Sequence, residues 1–417
     1  MVKNINVFGD SHTYGDEPQH KANLPNRTYY CSVKFKKIKI DLENRATYNC
    51  DAAMPHQVDF EWLEENPGQL FNTPINVAER EQMLQNIRNK SCEQNCWRAE
   101  DRDAISYRME RKGEDKTHTN SISSPEAVDL VLGTDCNLTC SYCCKEFSSA
   151  WRRDVLNNGN YELTNKVDDR YDATIKDKIH NALSQQNRKN GKHYQLLLNE
   201  AKLLLKLPTV KKLFIAGGEP LIMNHLIPVL ESLETRPDIV IEIDTGLGVS
   251  ESRLKSILPK LEKFKNLFIK ISSENIGGLL EFNRYGVSWE QFKKNVTLLE
   301  NSSINIAFHC TISNLSIFGF EDFYKHYKHH NIDWTFVEQP LMMSPYILDE
   351  ISKGKLVRSL SSLPKQFYNE VIVAMKKEPS EQDRIGCKQF LSQFSKRRNL
   401  KLDVFPKSFV EWLQLDI

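Results

Sequence analysis

The sequence predicts an α/β fold built on a parallel sheet, and two observations lead to this prediction. Short apolar runs that suit buried strands recur through residues 125–340, and amphipathic stretches that suit helices lie between them. Strands that alternate with helices pair in parallel, because each helix returns the chain to the same edge of the sheet. The candidate strands are Val128–Leu132, Lys212–Ala216, Val240–Asp244, Leu267–Ser272, Asn305–Thr311 and Trp334–Val337. The candidate helices include Ile222–Leu233, Ser250–Lys263, Trp289–Leu299 and Phe320–His329.

Length and composition set the broad class of the protein. The 417 residues, 40% of them hydrophobic, are enough for two or three domains with a large core. A formal net charge of +1 gives no reason to expect a nucleic acid or an anionic membrane as partner. No apolar run is long enough to span a bilayer, and the first residues lack the apolar region of a signal peptide. We therefore expect a cytoplasmic protein, in which ten cysteines indicate metal or redox chemistry rather than disulfides.

Three cysteines directly follow the first candidate strand. Cys136, Cys140 and Cys143 have the spacing C-x3-C-x2-C, and Gly133 begins the turn that leads into them. A loop that leaves a strand end can direct three thiolates at one inorganic cluster, and iron–sulfur clusters are normally held by cysteine thiolates. Three ligands leave one iron of a four-iron cubane open. A zinc site or three buried thiols is the alternative, although zinc sites more often use paired C-x2-C units.

This cysteine spacing, with the aromatic Tyr142 before the last cysteine, resembles the signature of the radical S-adenosylmethionine (SAM) family. The run Gly217-Gly218-Glu219-Pro220 after the second strand strengthens the resemblance. The resemblance implies a partial (βα)6 barrel, and a 4Fe-4S cluster on the three cysteines whose open iron binds the amino and carboxylate groups of SAM. It also implies that Gly217, Gly218 and Glu219 line the SAM methionine, with its amino group received near Glu219.

Further candidates follow the later strands, because parallel barrels carry their active sites at the carboxyl ends of strands. The resemblance implies that Thr245 lies near the SAM ribose, and that Ser272 and Glu274 bind SAM hydroxyls or substrate. It implies that Arg284, in Arg284-Tyr285-Gly286, contacts the SAM carboxylate, which a guanidinium can bind through two hydrogen bonds. A helix cap, a turn or a surface ion pair is the structural alternative for each of these residues.

A second group of four cysteines lies before the first barrel strand. Cys31, Cys50, Cys92 and Cys96 have the spacing C-x18-C-x41-C-x3-C, and Trp97 follows the last of them. The pattern resembles that of SPASM and twitch domains, which hold auxiliary iron–sulfur clusters and usually follow the barrel. It departs from them in lacking a glycine shortly before Cys50. The resemblance implies a second 4Fe-4S cluster, and zinc is the alternative for four cysteines.

These patterns predict four regions along the chain. Residues 1–110 are a small cysteine-rich SPASM/twitch-like domain, 111–124 a linker, 125–340 the radical SAM barrel, and 341–417 a helical extension. A long charged insertion, roughly Lys145 to Gln195, interrupts the first βα unit. It is predicted to cover the active site or a partner, or else to be a solvated helical excursion. Basic runs such as Lys396-Arg397-Arg398 can bind phosphates, but most are solvated faces, and we expect a solvated face here.

Several histidines have chemistry that the motifs do not use. His309, near the end of the fifth strand, is predicted to be a core histidine with satisfied hydrogen bonds. His326, His329 and His330 have nearly helical spacing. They are predicted to lie on an exposed helix, because a zinc site would need another ligand nearby.

The resemblance implies an enzyme that reduces SAM to methionine and a 5′-deoxyadenosyl radical, which removes hydrogen from a substrate. A peptide or protein side chain is the favoured substrate, because peptide modification is common among families with SPASM-like domains. A small amino-acid-like or nucleotide-like metabolite is the alternative. The implied partner is an electron donor such as flavodoxin or ferredoxin. A non-catalytic zinc-binding module is the competing hypothesis from another class.

Overall fold

The computed structural model describes residues 28–111, 116–164, 170–172, 191–376 and 378–414. The rest of the predicted N-terminal domain, linker and insertion lies outside these ranges. The strands are β1 Lys37–Asp41, β2 Ala46–Tyr48, β3 His56–Gln57, β4 Ala127–Val131, β5 Thr139–Cys140, β6 Lys212–Ala216, β7 Val240–Thr245, β8 Leu267–Ser272, β9 Arg284–Tyr285, β10 Asn305–Ile312 and β11 Asn331–Phe336. The helices are α1 Phe60–Glu65, α2 Pro74–Leu84, α3 Arg98–Glu100, α4 Tyr107–Glu110, α5 Ser149–Asn158, α6 Lys192–Leu205, α7 Leu226–Glu231, α8 Glu251–Leu261, α9 Gly277–Asn283, α10 Trp289–Glu300, α11 Phe320–Tyr327, α12 Glu350–Ser359, α13 Lys365–Met375, α14 Glu381–Arg398 and α15 Lys407–Gln414.

Nine strands form one mainly parallel sheet in the order β11-β10-β8-β7-β6-β4-β1-β2-β3. The strands β4, β6, β7, β8, β10 and β11 lie side by side in chain order and pair in parallel. This sequential order is the one that a partial (βα)6 barrel requires. The predicted α/β class is confirmed, and each of the six candidate strands overlaps an observed one.

Alternation along the strands gives the sheet two different faces. Apolar side chains such as Leu213, Ile215 and Ile269 are fully buried and join the main core. The intervening positions, such as Glu242 and Lys270, are polar. We call this second surface the inner face, because the aliphatic core occupies the other side of the sheet. Polar groups in the middle of parallel strands are thus collected on one side.

The N-terminal cysteine-rich region shares the sheet of the barrel. Strand β1 pairs in parallel with β4, with Ile38 opposite Val128, and β2 adds to its other edge in the antiparallel sense. The sheet therefore includes strands from both sides of the predicted linker. The division into domains at residues 111–124 stays a prediction. Within the described ranges, we find no helix with the length and apolar character needed to cross a membrane.

Candidate functional site

The loop that carries Cys136, Cys140 and Cys143, here called the cysteine loop (residues 136–143), lies at the carboxyl end of β4. Its middle forms β5, which pairs with β9 so that Cys140 is opposite Arg284. The carboxyl ends of parallel strands are where barrels build their active sites. The cysteine loop is therefore placed where catalysis is expected, and a second loop of the barrel holds it there.

The three thiols of the cysteine loop lie close enough to interact. Burial, and next the nearby Cys140, raise the pKa of the Cys136 thiol to about 12. Burial raises the pKa of Cys143 well above its usual value, and Cys140, Cys144 and Cys136 contribute to the rise. Thiols with raised pKa values are protonated at neutral pH, and ligation to a metal is what would deprotonate them. The arrangement thus suits a cationic group that all three sulfurs share.

Helix α5 satisfies the backbone of the cysteine loop. Ser149 Oγ donates to the Cys136 carbonyl at 3.0 Å, and Ser148 Oγ donates to the Leu138 carbonyl at 2.7 Å. The indole nitrogen of Trp151 donates to the Cys140 carbonyl at 2.9 Å. Because the carbonyls are bound by α5, the loop keeps its shape while its sulfurs stay available. This role was not predicted, because Ser148 to Trp151 fall within the predicted insertion.

The glycines of the Gly217-Gly218 motif pack closely against the turn that leads into the cysteine loop. Gly217 has a φ of +104°, and a β-carbon there would lie 2.6 Å from the Gly133 carbonyl oxygen. A β-carbon on Gly218 would lie 2.2 Å from the Asp135 carbonyl oxygen, a distance that no side chain permits. The close approach that these glycines allow is therefore to the chain's own backbone. A role toward SAM stays a prediction for both.

Glu219 is fully buried and joins two loops at the carboxyl edge of the sheet. One carboxylate oxygen accepts from Thr245 Oγ1 at 2.6 Å and from the Leu221 amide at 3.1 Å. The other accepts from the amides of Gly246 at 3.0 Å and Gly248 at 3.4 Å. Burial raises the pKa of Glu219, while these hydrogen bonds oppose the rise. Four donors of the same chain occupy this carboxylate, so a contact with the SAM amino group stays a prediction.

We expect Glu219→Gln to destabilise the fold by about 1–3 kcal/mol, the usual cost of leaving buried polar groups without a partner. The new amide group would face the Gly246 and Gly248 amides, donor against donor. The free energy of unfolding in urea measures this. Glu231→Gln, at an exposed position on α7, is the control and should unfold like the original chain. Equal stability of all three proteins would contradict the structural role of Glu219.

Three of the predicted residues form one buried cluster beside Cys140. Arg284 Nη2 lies 2.7 Å from Glu274 Oε2, and the Tyr142 hydroxyl donates to Glu274 Oε1 at 3.4 Å. The Arg284 guanidinium lies 5.5 Å from the centre of the Tyr142 ring. Burial raises the pKa of Cys140 to about 11, and the charge of Arg284 opposes this rise. Arg284 thus makes the surroundings of the cysteine loop more favourable to a thiolate.

Ser272 and Thr245 occupy different positions at the strand ends. Thr245 points toward Glu219, as its hydrogen bond shows. Ser272 ends β8 opposite His309 on the inner face and is half-buried. Among the described residues, its hydroxyl has no hydrogen-bond partner. Ser272 is therefore available to a bound molecule in a way that Thr245 is not.

A row of ionisable side chains crosses the inner face. Lys270 Nζ lies 3.1 Å from Asp333 and 3.4 Å from Glu242, and the imidazole of His309 hydrogen-bonds Asp333. Asp244 stands beside this row with one buried oxygen that has no hydrogen-bond partner within the described ranges, and burial, with a contribution from Glu242, raises its pKa to about 7. His309 is satisfied as predicted, but by charged neighbours rather than by the core. In the sequence, this row is marked by polar residues at every second position of otherwise apolar strands.

The C-terminal extension reaches the cysteine loop, which the sequence did not indicate. Arg398 Nε donates to Thr139 Oγ1 at 3.0 Å, and the guanidinium stacks on Trp151 at 4.8 Å and on Phe394 at 4.0 Å. Arg398 is buried, so the interpretation of this basic run as a solvated face is wrong for that residue. Phe390 and Phe394 recur at intervals of four before Arg398 and mark a buried helix face. That helical spacing was the available signal.

The structure gathers the second group of cysteines into a small core of its own. Cys31, Cys50, Cys92 and Cys96 are all buried there, around Trp97. Burial, and next Cys92, raise the pKa of Cys31 to about 12. Burial and Cys31 also raise the pKa of Cys50. The four cysteines, although spread widely along the sequence, therefore lie together in the folded chain.

Hydrogen bonds and buried cations surround this four-cysteine group. The Ala52 amide donates to the sulfur of Cys50 at 3.4 Å. Lys34 is buried in a pair with Glu79, and Arg108 in a pair with Glu100 at 2.6 Å. Both cations lower the pKa of Cys92, although burial outweighs them. Each cation is paired with a carboxylate, so the two ion pairs add no net charge beside the four-cysteine group.

The sulfurs of both cysteine groups are spread more widely than the ligands of one zinc ion. In the part of the chain that the structure describes, no three cysteine sulfurs lie within 4.8 Å of one another. Zinc–sulfur bonds of about 2.3 Å in a tetrahedron place neighbouring sulfurs roughly 3.8 Å apart. Among the described residues, neither cysteine group therefore presents three sulfurs at the spacing of zinc ligands.

Comparison with known proteins finds similarity only among solved structures. No family model and no curated protein matches the chain. The structure described as native anSMEcpe with bound AdoMet is 13% identical, with a TM-score of 0.34 over 60% of this chain and 64% of that chain. The same protein with AdoMet and the Cp18Cys peptide is 12% identical, with a TM-score of 0.34 over 60% and 62%. Streptococcus suis SuiB bound to precursor peptide SuiA is 16% identical, with a TM-score of 0.33 over 79% and 68%.

The similarity is partial in extent as well as low in identity. The matched region spans less than two thirds of the length of the anSMEcpe chains. With TM-scores below 0.5, these likenesses carry no functional conclusion. Function must be inferred from the residues of this chain.

Proposed function

We propose that the chain is a radical SAM enzyme, which holds a 4Fe-4S cluster on Cys136, Cys140 and Cys143 and cleaves S-adenosylmethionine reductively. The observation that carries the proposal is the cysteine loop itself. Three interacting thiols lie at the carboxyl edge of a parallel sheet. The backbone of the loop is bound by the chain's own side chains, which leaves the sulfurs as the reactive groups.

The residues present fit such a cluster. Three thiolates can bind three irons of a cubane and leave the fourth open to a substrate. Zinc on the same thiols is the competing occupant. When bound, the cluster would supply one electron to the sulfonium of SAM, giving methionine and a 5′-deoxyadenosyl radical that abstracts hydrogen from the substrate.

The chain's part in this chemistry is to hold the loop, orient SAM and exclude water. Glu274 and Arg284 lie fully or nearly buried next to Cys140, where they keep water from the thiols. We propose that Tyr142, Gly217, Gly218, Glu219, Thr245, Ser272, Glu274 and Arg284 form the SAM shell, some of them by fixing the loops around it. The unpartnered hydroxyl of Ser272 supports a direct contact there.

A second 4Fe-4S cluster is proposed for Cys31, Cys50, Cys92 and Cys96. Four thiolates complete a cubane without leaving an open iron. The burial of all four cysteines in one small core supports a shared inorganic group. Such a cluster would bind substrate or accept an electron, and zinc is the competing occupant.

The proposed substrate is a peptide or protein side chain, and a small amino-acid-like or nucleotide-like metabolite is the alternative. The inner face supports a polar substrate group, because Asp244 offers an unpartnered carboxyl oxygen close to Lys270. The reducing equivalent would come from a partner such as flavodoxin or ferredoxin.

The experiment that tests this function is an anaerobic incubation of the iron-reconstituted chain with SAM and dithionite. We expect 5′-deoxyadenosine, detected by mass spectrometry, together with iron, acid-labile sulfide and a brown absorbance. Samples without dithionite should give none, because cleavage needs an electron. Stoichiometric zinc without iron in the anaerobically purified chain, and no 5′-deoxyadenosine, would contradict the proposal and favour a zinc-binding module.

A further inference from the structure

Two histidines that follow helix α11 meet a carboxylate from helix α10. The ligand atoms of Glu300, His329 and His330 all lie within 4.8 Å of one another. His330 Nε2 lies 2.8 Å from Glu300 Oε1, and His329 Nε2 lies 3.5 Å from the same oxygen. From the sequence, these histidines were expected on an exposed helix, because a zinc site would need another ligand nearby. The structure brings the carboxylate of Glu300 to them.

The spacing of these atoms is compatible with a divalent metal ion in place of the hydrogen bond that His330 Nε2 makes with Glu300 Oε1. Zinc binds imidazole nitrogen and carboxylate oxygen at about 2.0–2.2 Å, so tetrahedral ligands lie roughly 3.3 Å from one another. The separations of His329 Nε2 and His330 Nε2 from Glu300 Oε1 fall on either side of this value. Two imidazoles and one carboxylate also suit the preference of zinc, nickel and copper for nitrogen ligands. Small rotations of the exposed side chains would complete the geometry, with water in the fourth position.

The surroundings also favour a cation. Helix α10 ends at Glu300 and helix α11 ends at Tyr327, so the carboxyl ends of two helices converge here. The carboxyl end of a helix carries partial negative charge and attracts cations. Lys328 stands between the second helix and the histidines and opposes this attraction. Two helix ends and the Glu300 carboxylate thus attract a cation, whereas only the exposed ammonium of Lys328 repels it.

One of the ligands is already held in place. The ring of His330 is only 15% exposed and packs 5.5 Å from the ring of Phe308. The rings of His329 and His330 lie 4.2 Å apart, centre to centre. A fixed ligand loses little freedom when a metal binds, which strengthens binding. The site lies just before the start of β10 and β11, at the sheet edge opposite the cysteine loop.

We propose that Glu300, His329 and His330 bind a divalent transition-metal ion, with zinc as the best-fitting ion. The ion would join the end of α10 to the turn before β11 and so fasten the last two βα units. It would take no part in chemistry at the cysteine loop. The site is independent of the function proposed above.

The test is zinc binding by equilibrium dialysis, with the full chain and the variants His330→Ala, His329→Ala and Glu300→Gln. His326→Ala is the matched control, because His326 is an exposed histidine of the same helix region but lies outside the ligand group. All of these proteins keep the same cysteines, so a difference between them reports the histidine site alone. Circular dichroism checks that each variant is folded.

We expect each ligand variant to lose one zinc per chain, or to bind it at least about tenfold more weakly, the loss that even an outer-shell substitution causes. His326→Ala should bind zinc like the original chain. Zinc should also raise the melting temperature of the original chain and of His326→Ala more than that of His330→Ala, because the ion binds only the folded site. Equal zinc binding by all five proteins would overturn the proposal, and so would an equal loss in His326→Ala.

Discussion

Replacing Cys136, Cys140 and Cys143 together by alanine is expected to abolish 5′-deoxyadenosine formation while the protein stays folded. The three thiols are the proposed ligands of the cluster that binds SAM, so their loss removes the group proposed to reduce it. The fold should survive, because its core consists of the aliphatic faces of the strands and the helices packed on them. The measurement is anaerobic SAM cleavage, with circular dichroism as the check of folding.

Cys144→Ala is the matched control for this triple variant. Cys144 adjoins Cys143 in the chain and is buried, but it lies outside the C-x3-C-x2-C spacing. We expect this control to retain its iron and to cleave SAM. Undiminished SAM cleavage by the triple variant would refute the cluster assignment. If the single variant Cys144→Ala did not cleave SAM, the third ligand would be Cys144 instead of Cys143.

The same triple variant is expected to retain about four irons per chain, the content of one intact cubane. These irons would belong to the second site, where Cys31, Cys50, Cys92 and Cys96 lie together without help from the cysteine loop. Iron and acid-labile sulfide in the anaerobically reconstituted variant measure this. The expected absorbance is that of an iron–sulfur protein although SAM is no longer cleaved.

A further change separates iron from zinc at the second site. Adding Cys31→Ala and Cys96→Ala to the triple variant should remove the remaining iron, because two thiolates do not complete a cubane. One bound zinc and almost no iron in the triple variant would show that the N-terminal site is structural zinc. The chain would then be a one-cluster enzyme, and the first prediction would be unaffected.

The features predicted best from the sequence are those that depend on residues close together in the chain. Strands such as Lys212–Ala216 and Leu267–Ser272 were found at the predicted residues. A short apolar run between turns identifies a buried strand without knowledge of its neighbours. The spacing of the cysteine loop likewise depends on adjacent residues only, because one loop carries all three sulfurs.

Contacts between residues that are distant in the chain could not be predicted from the sequence. Nothing in the residues around Lys37–Asp41 indicates that β1 pairs with β4, because any apolar edge strand could do so. The pairing of Glu300 with His330 depends on how two helices end beside each other. The occupied carboxylate of Glu219 depends on the path of the loop after β7, which spacing does not specify.

The hydrogen bond from Arg398 to Thr139 joins residues 259 positions apart. The cysteine loop therefore lacks one of its supports until the helix that carries Arg398 has been synthesised. Chains emerge from the ribosome at about 5–20 residues per second, so this support arrives roughly 10–50 seconds after the cysteines. During that interval the loop would have its contacts with α5 and β9 but not the contact with Arg398. A group bound by the three thiols would meet the fully supported loop only when the polypeptide is nearly complete, which would make the last long helix a timing element in the maturation of the protein.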